Sequence, residues 1–216
     1  MKRMFDGSLY LVTDRRMAGS RPLAEVVGAA IRGGVTCVQL REKTCGTREF
    51  MEQADALLPM MRRRGIPLII NDRIDVALAV GADGVHLGQK DMPLASARRI
   101  FGSDRIIGVS AESLEDALAA EEGGADYLGV SPIYATPTKT DTAPALGLEG
   151  LRRIRAAVKL PLVGIGGLNR DNAADVIRNG ADGVAVVSAI MKATDPEAAA
   201  RELAVEIRRY RPPAED

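Results

Sequence analysis

Short β-rich runs alternate with longer helical patterns along nearly the whole chain, and this alternation constrains the fold more than any other feature. Consecutive parallel strands need a crossover of about a dozen residues, which a helix supplies. The runs read as strands are Leu9–Thr13, Val35–Leu40, Leu68–Asn71, Gly84–Leu87, Ile106–Ser110, Tyr127–Val130, Leu162–Ile165 and Gly183–Val187. Helices are predicted over Pro22–Arg32, Thr47–Arg64, Ile74–Val80, Pro93–Phe101, Ser113–Glu122, Gly147–Ala157, Arg170–Asn179 and Glu197–Tyr210. Eight β/α repeats in 216 residues predict an α/β fold, a single (β/α)8 TIM barrel over 1–216, with 211–216 a flexible tail.

Helix ends carry glycine, at Gly33-Gly34, Gly65, Gly81, Gly123-Gly124 and Gly180. Ser113 with Asp116 forms a capping-box pattern, and Asp195 precedes Pro196 at the start of the last helix. Gly-Ala-Asp recurs at Gly81, Gly124 and Gly180, before the fourth, sixth and eighth strands, with a looser Gly33-Gly34-Val35 before the second. Shared helix-to-strand turn chemistry accounts for the repeat, and its placement fits quarter-barrel βαβα units.

Composition narrows the functional classes. Lys plus Arg and Asp plus Glu number 29 each, so no global basic field draws the chain to nucleic acid or to a membrane surface. Any anion site must therefore be local. No apolar run reaches membrane-spanning length, and the N-terminus lacks the apolar core of a signal peptide. Cys37 and Cys45 give neither a disulfide framework nor a CxxC metal spacing, which suits a reducing cytoplasm. A homo-oligomer is allowed by the sequence but not specified.

In such a barrel the chemistry lies at C-terminal strand ends and the loops beyond them. Gln39, Arg41 and Lys43 share one strand parity and should face the mouth together. Asp72 ends the third strand and Asp91 lies in the loop after the fourth. Together they suit one Mg2+, which takes few carboxylates and bridges to substrate phosphate, although Asp72 could equally be a helix cap. His86, the sole histidine, sits within Val85-His86-Leu87 and reads as a strand or barrel-interior residue rather than a general base. No hydrolytic triad is visible.

Ser110 ends the fifth strand. The long loop 131–145 after the sixth carries Thr136, Thr138 and Lys139, donors suited to phosphate oxygens. Gly164-Ile-Gly-Gly167 follows the seventh strand and Val187-Ser188 the eighth, where barrels commonly hold phosphate on backbone N–H groups and helix N-termini.

In order, Gln39-Leu-Arg-Glu-Lys43, Asn71-Asp72-Arg73, Gly84-Val-His-Leu-Gly-Gln89, Gly108-Val-Ser110, Thr136-Pro-Thr-Lys139, Gly164-Ile-Gly-Gly167 and Val187-Ser188-Ala-Ile190 resemble the motif series of thiamine-phosphate synthases over nearly the whole chain. The resemblance implies condensation of 4-amino-5-hydroxymethyl-2-methylpyrimidine diphosphate with a thiazole phosphate, giving thiamine phosphate and pyrophosphate with no redox cofactor. It implies that Gln39, Leu40, Arg41, Glu42, Lys43, Asn71, Ser110 and Lys139 hold the pyrimidine diphosphate, with Arg41, Lys43, Ser110 and Lys139 acting in catalysis. Asp72 and Asp91 would bind Mg2+, while Thr136, Pro137, Thr138, Gly167, Val187 and Ser188 would hold the thiazole phosphate. Lys90 stands where many relatives have an acidic residue, and Tyr134-Ala135 replaces an aromatic-proline step. Rival readings are a thiazole tautomerase, whose family lacks the Thr-Pro-Thr-Lys loop, another phosphate-binding barrel isomerase, and a non-catalytic sensor of phosphate ligands.

Overall fold

The computed structural model describes residues 5–135 and 145–210. Eight parallel strands close into a barrel in chain order: β1 (Leu9–Val12), β2 (Cys37–Leu40), β3 (Leu68–Asn71), β4 (Gly84–Leu87), β5 (Ile106–Ala111), β6 (Tyr127–Val130), β7 (Leu162–Ile165) and β8 (Gly183–Val186), with β8 paired back onto β1. Around it lie α1 (Leu23–Arg32), α2 (Thr47–Arg64), α3 (Ile74–Val80), α4 (Leu94–Phe101), α5 (Leu114–Glu122), α6 (Gly147–Ala157), α7 (Ala173–Arg178), α8 (Ser188–Met191) and α9 (Pro196–Tyr210). The barrel is the architecture the alternation predicts.

Strand residues are buried on both faces, so parity sorts them into two apolar layers. Leu11, Val38, Leu40, Leu68, Ile70, Val85 and Ile107 face outward and pack with the helices. Tyr10, Val12, Cys37, Ile69, Ile106, Tyr127, Val163 and Ala185 fill the barrel interior. A fully buried Leu, Ile or Val contributes about 1.5–3 kcal/mol, and a one-residue slip would exchange the layers. Small residues make room for the interior tyrosines. A Cβ at Gly108 would collide with the ring of Tyr127.

The recurring Gly-Ala-Asp has a definite structural task. Asp83 accepts a hydrogen bond from the first N–H of β3 at 2.9 Å, Asp126 from the second residue of β5 at 2.7 Å, and Asp182 from the first N–H of β7 at 2.7 Å. Thr36 does the same for the first N–H of β1 at 3.1 Å. Each even-numbered strand is thus preceded by a side chain that satisfies a donor near the start of its odd-numbered neighbour, and the four βαβα units are stitched alike.

Three departures from the sequence reading have local causes. β2 begins at Cys37 rather than Val35, because the Val35 N–H closes the preceding turn onto Ala30 and Thr36 pairs with Leu9. α7 begins at Ala173 rather than Arg170: Asn169 and Asn172 accept bonds from the N–H groups of Asp171 and Asn169, holding that stretch as a turn. The 3-10 turn Arg15–Ala18, capped by Asp14, and the short helix α8 were not anticipated. Four residues carry too little periodicity to be read.

Candidate active site

A cavity of about 250 Å³ opens at the C-terminal ends of the strands. Among the described residues predicted for the site, Gln39, Arg41, Lys43, Asn71, Asp72, Asp91, Ser110, Gly167, Val187 and Ser188 line it. Parity explains the first three, because β2 aims alternate side chains inward and the chain keeps that alternation past its end. The same rule sends Leu40 outward, where it is fully buried against the helices, and leaves Glu42 off the cavity wall. Burial, partly opposed by Arg15, holds the Glu42 carboxyl above the usual carboxylate range. Thr136, Pro137, Thr138 and Lys139 lie outside the described residues, as does the tail 211–216.

Asp72 occupies an unusual backbone position. Its φ is 62°, and Arg73 N–H closes back onto the Asn71 carbonyl at 2.7 Å around it. Such a conformation costs a non-glycine residue on the order of 1–3 kcal/mol and clusters at functional sites. The Asp72 N–H donates to the His86 carbonyl at 2.8 Å, which ties the end of β3 to β4. The alternative role as a helix cap is not what the residue does. Arg73 occupies the cap position of α3, while the Asp72 carboxylate accepts from Lys43 Nζ at 2.5 Å.

Asp91 stands beside Asp72, fixed by a bond from Gly88 N–H to its Oδ2 at 2.7 Å. Burial first, and then the neighbouring Asp72 carboxyl, push the Asp91 carboxyl above its ordinary range. Two carboxyls in contact call for a cation, and Lys43 supplies one charge to them. Among the described residues no group of three or more His, Cys, Asp or Glu is placed to hold a metal. Two neighbouring carboxylates are a donor set compatible with Mg2+, which takes few carboxylates and keeps waters.

Asn71 is 6% exposed, and its Nδ2, buried, has no hydrogen-bond partner among the described residues. A buried donor left unmet costs about 1–3 kcal/mol, so this amide at the cavity wall is suited to an acceptor brought by a ligand. Across the ring, Gly166 and Gly167 adopt φ of 108° and 66°, with Gly167 held by a bond from Asn172 Nδ2 to its carbonyl at 3.0 Å. Because the barrel is closed in chain order, the β2–β5 arc with its cations and carboxylates faces the β7–β8 arc with its glycines and Ser188.

Several lining residues were not singled out as ligands from sequence: Tyr10, Tyr127, Gln89, Glu112 and Ser131. Parity could have found two of them. Glu112 stands two residues beyond Ser110, as Lys43 stands two beyond Arg41, and Tyr10 shares its face with Val12. His86 is the barrel-interior residue expected, bonded through Nδ1 to Tyr127 Oη and through Nε2 to Ser110 Oγ, each at 2.9 Å.

The sequence profile of the family described as Thiamine monophosphate synthase matches residues 9–190. The chain is 60% identical over 195 residues to the thiamine-phosphate synthase of Albidiferax ferrireducens, covering 90% of this chain and 89% of that one. It is 57% identical over 198 residues to the thiamine-phosphate synthase of Chloroflexus aurantiacus, covering 92% and 91%. Among solved structures, thiamine phosphate pyrophosphorylase from Pyrococcus furiosus superposes with a TM-score of 0.88 at 44% identity, covering 95% of this chain and 97% of that one. A 3-hexulose-6-phosphate synthase, with a TM-score of 0.69 at 20% identity, shares the fold alone. Profile, relatives and superposition agree: the chain belongs to the thiamine monophosphate synthase family and is a transferase.

Proposed function

We propose that the cavity joins a pyrimidine diphosphate held on the β2–β5 arc to a thiazole phosphate held on the β7–β8 arc, by dissociative substitution. The bond between the pyrimidine's exocyclic methylene carbon and the diphosphate oxygen breaks, and its electron pair leaves with the diphosphate. The pyrimidine ring stabilises the cation left behind. The thiazole nitrogen then contributes its lone pair to form the new carbon–nitrogen bond, giving thiamine phosphate and pyrophosphate.

One observation carries the reading: Arg41, Lys43, Asn71, Asp72, Asp91 and Ser110 converge on one wall of a single cavity, opposite Gly167 and Ser188. Such a reaction needs electrostatic stabilisation of a departing anion more than a proton-transferring pair. Arg41 and Lys43 supply fixed positive charge, Asn71 supplies a buried donor, and Asp72 with Asp91 would hold Mg2+. When bound, Mg2+ neutralises part of the diphosphate charge. Gly167, Val187 and Ser188 offer a close backbone approach for the second phosphate. Lys139 and the threonines Thr136 and Thr138 complete the assignment on the resemblance alone.

The decisive experiment measures pyrophosphate release with each substrate omitted in turn and with Mg2+ chelated. Release only when both substrates and the metal are present is expected. Isomerisation of the thiazole phosphate without the pyrimidine would instead favour a tautomerase, and binding without turnover a sensor.

A further inference from the structure

A chain of hydrogen bonds, buried at Tyr10 and part-buried at His86, runs through the barrel along the floor of the cavity. Gln39 Nε2 donates to Tyr10 Oη at 3.0 Å, the Tyr10 and Tyr127 hydroxyls meet at 2.8 Å, Tyr127 Oη meets His86 Nδ1 at 2.9 Å, and His86 Nε2 meets Ser110 Oγ at 2.9 Å. The chain starts and ends at residues assigned to the pyrimidine diphosphate. We infer that Gln39, Tyr10, Tyr127 and His86 form a one-way relay that fixes the Ser110 hydroxyl as a hydrogen-bond donor toward the substrate; this rests on the assignment of Ser110 to the pyrimidine diphosphate.

The direction follows from counting protons. An amide nitrogen only donates, so Tyr10 Oη accepts from Gln39 and gives its single proton to Tyr127, a stronger acceptor than the neighbouring Cys37 thiol. Tyr127 has then accepted one bond and gives its own proton to the lone pair of His86 Nδ1. The neutral imidazole consequently carries its proton on Nε2 and donates to Ser110 Oγ. Reversal would leave the Tyr10 proton only the Gln39 N–H, which cannot accept, or the Cys37 thiol, a weak acceptor. Protonation of both ring nitrogens would set N–H against O–H at the Tyr127 contact. Ser110 lines the cavity, and with its oxygen accepting from His86, its proton is left for an acceptor on the bound molecule.

Packing makes the relay rigid. Tyr10 and Tyr127 are 2% and 0% exposed. Phe5 stacks on Tyr127 with ring centroids 4.0 Å apart, and a Cβ at Gly129 would stand 3.0 Å from His86 Cε1. Burial raises both tyrosine hydroxyls well above their ordinary range, so they keep their protons at neutral pH. His86, Tyr127 and Tyr10 are therefore positioning residues, acting through Ser110.

Because His86 is the only histidine, the full-length protein labelled with 15N-histidine gives a single pair of imidazole ring signals. The spectrum at neutral pH, without substrate, is expected to show Nε2 protonated and Nδ1 as the acceptor. An Nδ1–H tautomer or an imidazolium would overturn the relay whatever reaction the cavity performs. Tyr127→Phe, which keeps the stacking on Phe5, should lose the single-tautomer signature and lower kcat/KM for the pyrimidine diphosphate roughly tenfold. The KM for the thiazole phosphate should stay unchanged. Wild-type tautomer and rate in this variant would overturn the proposal. If it fails to fold, Tyr10→Phe gives the same readouts one link further away. Ser110→Ala should weaken pyrimidine diphosphate binding, and unchanged affinity would overturn the role given to the relay while leaving the tautomer and the rest of the cavity's assignment standing.

Discussion

Asp72 concentrates several demands in one position. It turns the chain at positive φ, accepts from Lys43, and faces Asp91. Asparagine also tolerates that backbone, so Asp72→Asn removes charge without removing the turn. Asp72→Asn and Asp91→Asn should each raise the Mg2+ concentration needed for half-maximal rate by roughly tenfold or more, with little change in melting temperature; unaltered metal titrations would show that the metal lies elsewhere. Gly167 carries a different demand, with φ at 66° and a Cβ there standing only 3.0 Å from the Ala135 carbonyl oxygen. Gly167→Ala should cost about 1 kcal/mol of stability and raise the KM for the thiazole phosphate several-fold, read from melting curves and steady-state kinetics. Lys139→Ala should leave the melting temperature in place while lowering turnover on the order of a hundredfold, and an unchanged rate would remove Lys139 from the reaction.

The β/α units show how elements are joined before any site is built. The aspartates ahead of β4, β6 and β8 satisfy strand N–H groups across the turn. Asp126 also pairs with Arg98 at 2.9 Å in a largely buried position. Asp126→Ala should destabilise the protein by about 1–3 kcal/mol, since it strands the Ile107 N–H and leaves Arg98 without this carboxylate. Asp126→Asn, which keeps an acceptor, should recover much of the loss in a thermal melt; equal damage from both would point to the charge alone. The recurrence of Gly-Ala-Asp was visible in the sequence. Its target was not, because the accepting side chain and the donating N–H lie 15 to 20 residues apart and meet only once the sheet forms.

At the scale of the whole molecule, closure is the step on which function depends. β8 pairs with β1, and α9 packs across α1 so closely that a Cβ at Gly33 would collide with the Glu197 carbonyl oxygen. Arg21 reinforces the seam, donating to the Met191 and Ala193 carbonyls at 2.6 Å each. A chain ending at Asp195 would lose Ala200, Leu203, Ala204 and Ile207 from the outer core. It should show no cooperative unfolding transition by circular dichroism, whereas a chain ending at Tyr210 should melt like the full-length protein. No helix among the described residues is long and apolar enough to cross a membrane.

Strand parity, the β/α alternation and the glycine-marked turns were legible in the sequence because each depends on neighbours within a few residues. They were enough to place Arg41, Lys43 and Asp72 at strand ends and to set Gln39, Arg41 and Lys43 on one parity. The outward burial of Leu40, assigned with them to the pyrimidine diphosphate, was not foreseen. The tertiary structure alone decided which residues share a hydrogen bond. Lys43 reaches Asp72 across β2 and β3, and Tyr10 on β1 meets Tyr127 on β6 through the barrel interior. Those contacts arise from closing eight strands into a ring, a long-range constraint that no local pattern encodes.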